Sequence, residues 1–239
     1  AGTALTKITG SLSELKAVYD LESATAPGVT GIDEAPLEID TAGVLNAADL
    51  KAIDTATTGV IDATKAGISV SGLIADVRAV LDAADDSDAN ANSTIDFGNA
   101  NNEATIDVTI TDVTIAEAQL TDLLSGSVDT ANTNALTTGT ITLLSNAVQG
   151  NYTQLLNISN TLQTANAGVV GLSSINYIVD DAIDEDKAAA IAGDTTGVIT
   201  ATVSGRTVFQ LIESGSSLAE PITSSFTGHN LAIKVADTT

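Results

Sequence analysis

The chain of 239 residues has no cysteine, no methionine, no tryptophan and one histidine. Without cysteine there is no disulfide framework, no thiol nucleophile and no cysteine-ligated zinc, and one histidine cannot anchor a zinc site alone. Basic residues are scarce too, with 8 Lys or Arg against 31 Asp or Glu and a net charge of −23. Nucleic-acid binding needs clustered basic side chains and is therefore disfavoured. The sequence has no apolar run of 18 residues, so it predicts no membrane span.

Aromatic residues are also few, with 3 Tyr and 3 Phe, although 44% of the chain is hydrophobic. The apolar residues are almost all Ala, Val, Ile and Leu, so the core must consist of small or branched side chains packed in regular layers. An acidic surface suits a protein that stays soluble in salt, because counter-ions screen its self-repulsion.

A Thr-Thr-Gly marker recurs at residues 57–59, 137–139 and 195–197, each time after a helical stretch and before a β-branched one. A glycine at a helix end can adopt positive φ and satisfy the last carbonyl groups, and paired threonines favour extended structure. The marker therefore predicts a helix stop. A threonine nucleophile would need a nearby base or a free amino terminus, which the sequence offers at none of the copies.

Four glycines, Gly10, Gly72, Gly150 and Gly205, mark four repeat units of unequal length. Residues 8–20 align with residues 70–82 without a gap, which keeps the glycine and the apolar pattern. The differences in length fall in loops, the longest of which is rich in Asp and Asn.

The periodicity changes in a fixed order within each unit. The sequence predicts leading strands at 37–40, 106–112 and 175–180, and strands after the marker at 60–63, 140–142 and 198–203. Helical stripes are predicted from Val44, Leu45, Ala48, Leu50 and Ile53, from Leu73, Val77, Val80 and Leu81, and from Leu12, Leu15, Val18 and Tyr19.

These elements predict an α/β fold in which repeated strand-helix-strand-helix units stack into an elongated parallel or mixed sheet with flanking helices. We expect one elongated repeat array over residues 1–239. It divides into a half-unit at 1–36, units at 37–105, 106–174 and 175–230, and a terminal strand at 231–239.

The half-units at the two ends have two interpretations: an arbitrary cut, or a terminal strand that completes a neighbouring subunit. An unpaired terminal strand is a polymerisation surface, and strand addition would join subunits into a filament. The predicted subunit contact consists of Leu231, Ile233, Val235, Leu5 and Ile8.

Oxygen-bearing side chains alternate along the long Asp/Asn-rich loop, as they do in calcium loops. The candidate calcium ligands are Asp86, Asp88, Asn90, Asn92 and Asp96. The loop lacks the glycine and the bidentate glutamate of an EF-hand, so a polar, solvated loop is the alternative. The sequence suggests no other cofactor.

A second acidic cluster lies at residues 180–186, where a helix is predicted to begin. Carboxylates are favourable near a helix N-terminus, and Lys187 can pair with one of them, so we predict a capping role. Paired carboxylates for glycoside chemistry would need a cleft lined with aromatic residues, which are scarce here.

Residues 45–59 (LNAADLKAIDTATTG), 70–77 (VSGLIADV) and 28–39 (GVTGIDEAPLEI) resemble the repeats of giant extracellular proteins on the surface of cyanobacteria and other marine bacteria. The resemblance covers most of the chain in degenerate form. It implies an extracellular or cell-surface structural role without enzymatic activity.

The leading functional hypothesis is a secreted structural protein that self-assembles into a filament, surface layer or matrix, with copies of itself as partners. The alternative is a calcium-dependent adhesin or viral fibre module that binds cell-surface glycans.

Overall fold

The computed structural model describes residues 5–24, 32–84, 94–98, 106–125, 139–145, 147–158, 169–206, 212–213, 217–218 and 230–235. Six α-helices lie in these ranges: α1 (Leu12–Ala24), α2 (Ala47–Ala56), α3 (Ile74–Ala84), α4 (Glu117–Ser125), α5 (Tyr152–Asn157) and α6 (Glu185–Ala192). A short 3-10 helix spans Leu172–Ser174.

Sixteen strands lie in the same described ranges. They are β1 (Ile8–Gly10), β2 (Leu37–Ile39), β3 (Gly43–Asn46), β4 (Ile61–Asp62), β5 (Ile68–Gly72), β6 (Ile95–Asp96), β7 (Asp107–Ile110), β8 (Thr114–Ala116), β9 (Ile141–Leu143), β10 (Ala147–Gly150), β11 (Val169–Val170), β12 (Asn176–Ile183), β13 (Ile199–Arg206), β14 (Ile212–Glu213), β15 (Ser217–Leu218) and β16 (Asn230–Val235).

Three parallel sheets contain most of the strands. The first sheet has the order β1-β2-β4-β6, the second β3-β5-β7-β9-β11 and the third β8-β10-β12-β13-β16, while β14 and β15 form a separate antiparallel pair. Within each large sheet the strands follow one another in chain order. The predicted α/β class with parallel strands is confirmed, although the strands form three sheets instead of one. The elongated arrangement stays a prediction.

The helices follow the three sheets in turn. Helix α1 follows a strand of the first sheet, α2 and α3 follow strands of the second, and α4, α5 and α6 follow strands of the third. Strands β6, β7 and β8 belong to three different sheets, with no helix between them among the described residues. The predicted order of elements within a unit therefore changes along the chain.

The start of helix α2 differs from the start that the sequence pattern predicted. Val44 and Leu45 were expected on the helical stripe but lie in β3, where Leu45 is buried and Val44 is 70% exposed. Helix α2 begins one residue after Asn46, whose side chain accepts a hydrogen bond of 3.1 Å from the amide of Asp49. This cap satisfies an amide that the helix itself leaves unpaired.

Helix α2 buries Ala47, Leu50 and Ile53, a spacing of three residues that gives one narrow apolar face. Ala48, predicted on that face, is exposed. Helix α3 likewise buries Ile74 together with the predicted Val77, Val80 and Leu81, whereas Leu73 is 53% exposed and precedes the helix.

The core consists mostly of aliphatic side chains stacked across parallel strands, as the composition predicted. Residues in register form three ladders: Ile8, Leu37, Ile61 and Ile95 in the first sheet, Leu45, Val70 and Val108 in the second, and Ile115, Val148, Tyr177 and Ile199 in the third. All of these residues except Ile8 are buried. The buried side chain of each strand thus lies beside the equivalent side chain of the strand before it.

The chain folds as two compact units. The first comprises Ala1–Thr111 and Asp122–Thr142, and the second comprises Asp112–Thr121 and Leu143–Thr239. The first unit contains the first sheet and helices α1 to α3, and the second contains the strands of the third sheet. The repeat boundaries expected from the sequence stay a prediction.

Candidate functional site

The Thr-Thr-Gly turn of the first unit holds one repeat against the one before it. The hydroxyl of Thr57 donates to the carbonyl oxygen of Asp33 at 3.0 Å and accepts from the amide of Gly59 at 3.0 Å. The amide of Thr58 donates to the same Asp33 oxygen at 2.7 Å. Because the Thr57 hydroxyl is already both donor and acceptor, it serves as a bridge between backbone segments 24 residues apart.

The turn at residues 195–197 repeats this geometry in the second unit. The Thr195 hydroxyl donates to the carbonyl of Ile175 at 2.7 Å and accepts from the amide of Gly197 at 2.9 Å. The amide of Thr196 donates to Ser173 at 3.0 Å. Thr57 and Thr195 are each only 7% exposed, so both bridges are shielded from solvent.

The glycine of the marker is required by a close backbone contact. A Cβ atom would lie 2.3 Å from the Ala35 oxygen at Gly59, 2.2 Å from the Ile106 oxygen at Gly139 and 2.3 Å from the Ile175 oxygen at Gly197. The glycines with positive φ in the described chain are elsewhere, at positions 43, 67, 98 and 171. The prediction that the marker glycine adopts positive φ is therefore wrong.

The predicted helix stop holds at the first copy of the marker. Helix α2 ends at Ala56, and the amide of Thr57 donates to Ile53 at 3.0 Å. At the third copy, α6 ends at Ala192 and is capped by Gly193, two residues before the marker begins. Thr137 and Thr138 lie outside the described residues.

Among the described strands, β1 is the end strand of the first sheet, and only its edge towards β2 is paired. The amide of Ile8 donates to Pro36 at 2.9 Å, and the carbonyl of Gly10 accepts from Asp40 at 3.1 Å. In a parallel pair alternate residues bond to the same neighbour, so the backbone groups of Thr9 point away from β2. In the order of the described strands, nothing follows β1 on that side.

Strand β3 ends the second sheet in the same way. Its first residue, Gly43, donates to Gly67 of the neighbouring segment at 3.1 Å. The exposed Val44 lies beside a shallow cavity of ≈ 270 Å³, lined by residues 11–13, residues 41–46 and Asp49. Of the strands that the structure describes, the first sheet contains one, β1, that has no counterpart in the second sheet at this end. The cavity lies along the edge of β3.

Four of the five residues of the predicted subunit contact lie on two end strands. Ile8 is half-buried in β1, whereas Leu5 is 42% exposed and precedes that strand. Leu231, Ile233 and Val235 lie in β16, which pairs along its length with β13 of its own chain and is the last strand of the third sheet. The structure therefore gives β16 a partner within the chain, and it places Ile8 of β1 in a different sheet from β16.

The calcium candidates Asp86, Asp88, Asn90 and Asn92 lie outside the described residues. Asp96 lies in β6, and its side chain accepts from the amide of Gly98 at 2.7 Å.

Asp96 also belongs to a row of carboxylates that sequence reasoning missed. It is in register with Asp62, which is in register with Glu38, so three acidic residues lie on adjacent strands about 4.8 Å apart. Lys7 forms an ion pair with Glu38. Each acidic residue directly follows a buried Leu or Ile, a signal that the sequence did contain. Within the described ranges, no group of three or more His, Asp or Glu side chains could hold a metal ion.

In the second acidic cluster Asp184 has the predicted capping role, whereas Asp180 and Asp181 lie in β12. The side chain of Asp184 accepts from the amide of Lys187 at 2.9 Å at the start of α6, and the Lys187 ammonium lies 3.5 Å from the same carboxylate. The backbone hydrogen bond from Lys187, together with the lysine charge, lowers the pKa of Asp184. Asp180 and Asp181 accept hydrogen bonds from β10 and from the start of α5.

No protein-family model, curated protein or solved structure matches this chain. Among the described residues, no helix is both long enough and apolar enough to cross a membrane.

Proposed function

We propose that this chain is a secreted structural protein that assembles with copies of itself into an extracellular filament, surface layer or matrix. The observation that supports the proposal is the order of the strands in each sheet. Parallel strands are added in chain order, and β1 and β3 are end strands with no partner on their outer edge among the described residues. An open edge of this kind accepts another strand.

Assembly joins the edge of one copy to the edge of the next. In this proposal β16 lies beside β1 of a neighbouring copy, which brings Leu231, Ile233 and Val235 of one chain to Leu5 and Ile8 of the other. Pairing of β16 with β13 in the same chain supports addition of an edge over the exchange of a terminal strand. The net charge of −23 opposes assembly at low ionic strength, so salt favours it.

Two further features support a structural role. The buried Thr57 and Thr195 hydroxyls are bound to backbone groups, so the most repeated motif of the chain serves packing between repeats. The resemblance of residues 45–59 to bacterial cell-surface repeats supports a location outside the cell and a function without catalysis.

The edge of β1 provides a direct test. Thr9→Pro removes an outward-facing amide, whereas the hydrogen bonds of Ile8 and Gly10 to the β2 segment stay in place. Residue 8 is already extended, as a residue before proline prefers to be. We expect the wild-type chain to form ordered assemblies in electron microscopy and light scattering at raised salt, and the variant to stay dispersed.

Thr9→Ala is the matched control, because it removes the same side chain but keeps the amide. It should assemble like the wild type, and circular dichroism should show all three proteins folded. A wild-type chain that stays monomeric at high concentration across salt conditions refutes self-assembly. Assembly that Thr9→Pro leaves intact refutes the use of β1.

A second candidate function is a calcium-dependent adhesin or viral fibre module that binds glycans, in which calcium acts as a diffuse counter-ion to the row of Glu38, Asp62 and Asp96 and is not held in a closed site. Calcium would reduce the repulsion between neighbouring carboxylates and raise the melting temperature. Asp62→Asn should lessen that rise. The wild-type chain should also bind a glycan array in a calcium-dependent manner. A melting temperature unchanged at millimolar calcium excludes this function.

A further inference from the structure

One repeat contains a pair of polar residues where the others are apolar. In the third sheet Tyr177 is in register with Val148 and Ile199, and Val148 in turn with Ile115. Tyr177 is thus the polar member of an otherwise aliphatic ladder. The residue before the Thr-Thr-Gly marker is Ala56 in the first copy and Leu136 in the second, but Asp194 in the third.

The two polar side chains carry buried oxygen atoms without a hydrogen-bond partner. Tyr177 is 0% exposed, and its hydroxyl has no partner among the described residues. Within the same described part of the chain, Oδ2 of Asp194 is also buried and unpaired. In native proteins roughly 90% or more of buried polar groups bond to protein or to ordered water, so each of these two oxygens is expected to have a partner.

The positions of the two residues support a shared partner. Asp194 follows α6, and its amide donates to Ile191 at 3.0 Å, which fixes the residue at the end of that helix. Tyr177 lies on β12, and its amide donates to Val198 at 2.9 Å, just beyond the marker turn. Burial raises the pKa of Tyr177 to about 12, and the charge of the Asp194 carboxylate adds to that effect.

We infer that Tyr177 and Asp194 bind one internal water molecule, which joins the end of α6 to β12. The tyrosine hydroxyl donates to the water, and the water donates to Oδ2 of the aspartate. Internal waters typically bind to two to four otherwise unpaired polar groups, and about one such water occurs per 27 residues in globular proteins. The site is independent of the proposed function.

A crystal structure resolved well enough to place waters tests the site directly. The expected result is a water within hydrogen-bond distance of both the Tyr177 hydroxyl and the Asp194 carboxylate. A direct hydrogen bond between the two side chains, or a dry contact without density between them, overturns the inference.

Thermal unfolding provides an independent test. Tyr177→Phe should lower the melting temperature by about 2–4 °C, the size expected for one hydrogen bond in a chain of this length. Asp194→Ala removes the acceptor for the water and introduces the residue that precedes the marker in its first copy. In that background Tyr177→Phe should have little further effect, because the hydroxyl has already lost its partner.

Tyr19→Phe is the matched control. Its hydroxyl donates to the carbonyl of Ile32 at 2.9 Å in a buried setting, so the loss of one known hydrogen bond calibrates the measurement. Its effect should be the same in the wild-type and Asp194→Ala backgrounds. The inference is wrong if Tyr177→Phe leaves the melting temperature unchanged or raises it, or if its effect simply adds to that of Asp194→Ala.

Discussion

Replacement of the marker glycine by alanine tests the central structural conclusion. In Gly59→Ala the new Cβ atom would lie 2.3 Å from the backbone oxygen of Ala35 and 2.7 Å from its carbonyl carbon. Real Cβ contacts do not fall below 3.0 Å, so the two backbone segments must separate by about 0.7 Å. The neighbouring atoms belong to backbone, so no side-chain rotation can relieve the contact.

The separation also weakens the hydrogen bonds of the turn. A shift of about 0.7 Å stretches the bond from Thr58 to Asp33 from 2.7 Å to the limit of hydrogen bonding. Overpacking costs about 1–3 kcal/mol, and each lost hydrogen bond costs about 1 kcal/mol. The alanine itself offsets about 0.4–1 kcal/mol by restricting the unfolded chain. The expected loss is about 2–4 kcal/mol in the free energy of unfolding.

Urea unfolding followed by far-ultraviolet circular dichroism measures this loss, with Gly10→Ala as control. A Cβ atom at Gly10 would be 3.4 Å from the end of the flexible Glu14 side chain, an ordinary contact, so the control should change stability by less than about 1 kcal/mol. Gly197→Ala should behave like Gly59→Ala in the second unit. Equal effects of Gly59→Ala and Gly10→Ala would refute the close-contact argument.

Three further predictions concern the buried Thr57 and Tyr177 and the half-buried Arg78. Thr57→Val, which loses the bridge to Asp33, should destabilise the fold by about 1–3 kcal/mol in urea unfolding, and Thr57→Ser should recover most of that loss. Arg78→Lys should lower the free energy of unfolding by about 1–3 kcal/mol, because a lysine cannot form both the 2.9 Å bond to Asp82 and the 3.1 Å bond to the Asp122 carbonyl. Substitutions at ordinary surface positions change stability by at most about 0.5 kcal/mol, so an effect below that size would contradict this prediction. Burial raises the pKa of Tyr177 from 10.0 to about 12, so its contribution to stability is complete below pH 10 and lost as the pH rises towards 12. Tyr177→Phe should flatten the fall in melting temperature over that range.

Much of the secondary structure could be predicted from local patterns. The β-branched residues after each marker form β4, β9 and β13, and the stripe of Val77, Val80 and Leu81 lies on α3 as expected. The start of α2 was misplaced because Val44 and Leu45 fit a helical period as well as a strand. Asn46 decided the boundary by capping the helix, a contact that a hydrophobic pattern does not contain.

The candidate site was less predictable. Residues Glu38, Asp62 and Asp96 are separated by tens of positions, and only the register of parallel strands aligns them. The open edges of β1 and β3 likewise depend on which strands pair, and pairing is set by long-range burial that composition does not specify.

The sequence by itself determined the aliphatic core, the acidic surface and the repeated Thr-Thr-Gly turns, because side-chain chemistry and periodicity are local properties. Tertiary structure alone decided that these turns lead into three different sheets, β4 in the first, β9 in the second and β13 in the third. It also decided why each marker needs glycine: the turn lies against a carbonyl oxygen of the preceding repeat, 2.2–2.3 Å from where a Cβ atom would be. That contact exists only once the repeats are packed, so no stretch of sequence read alone could show it.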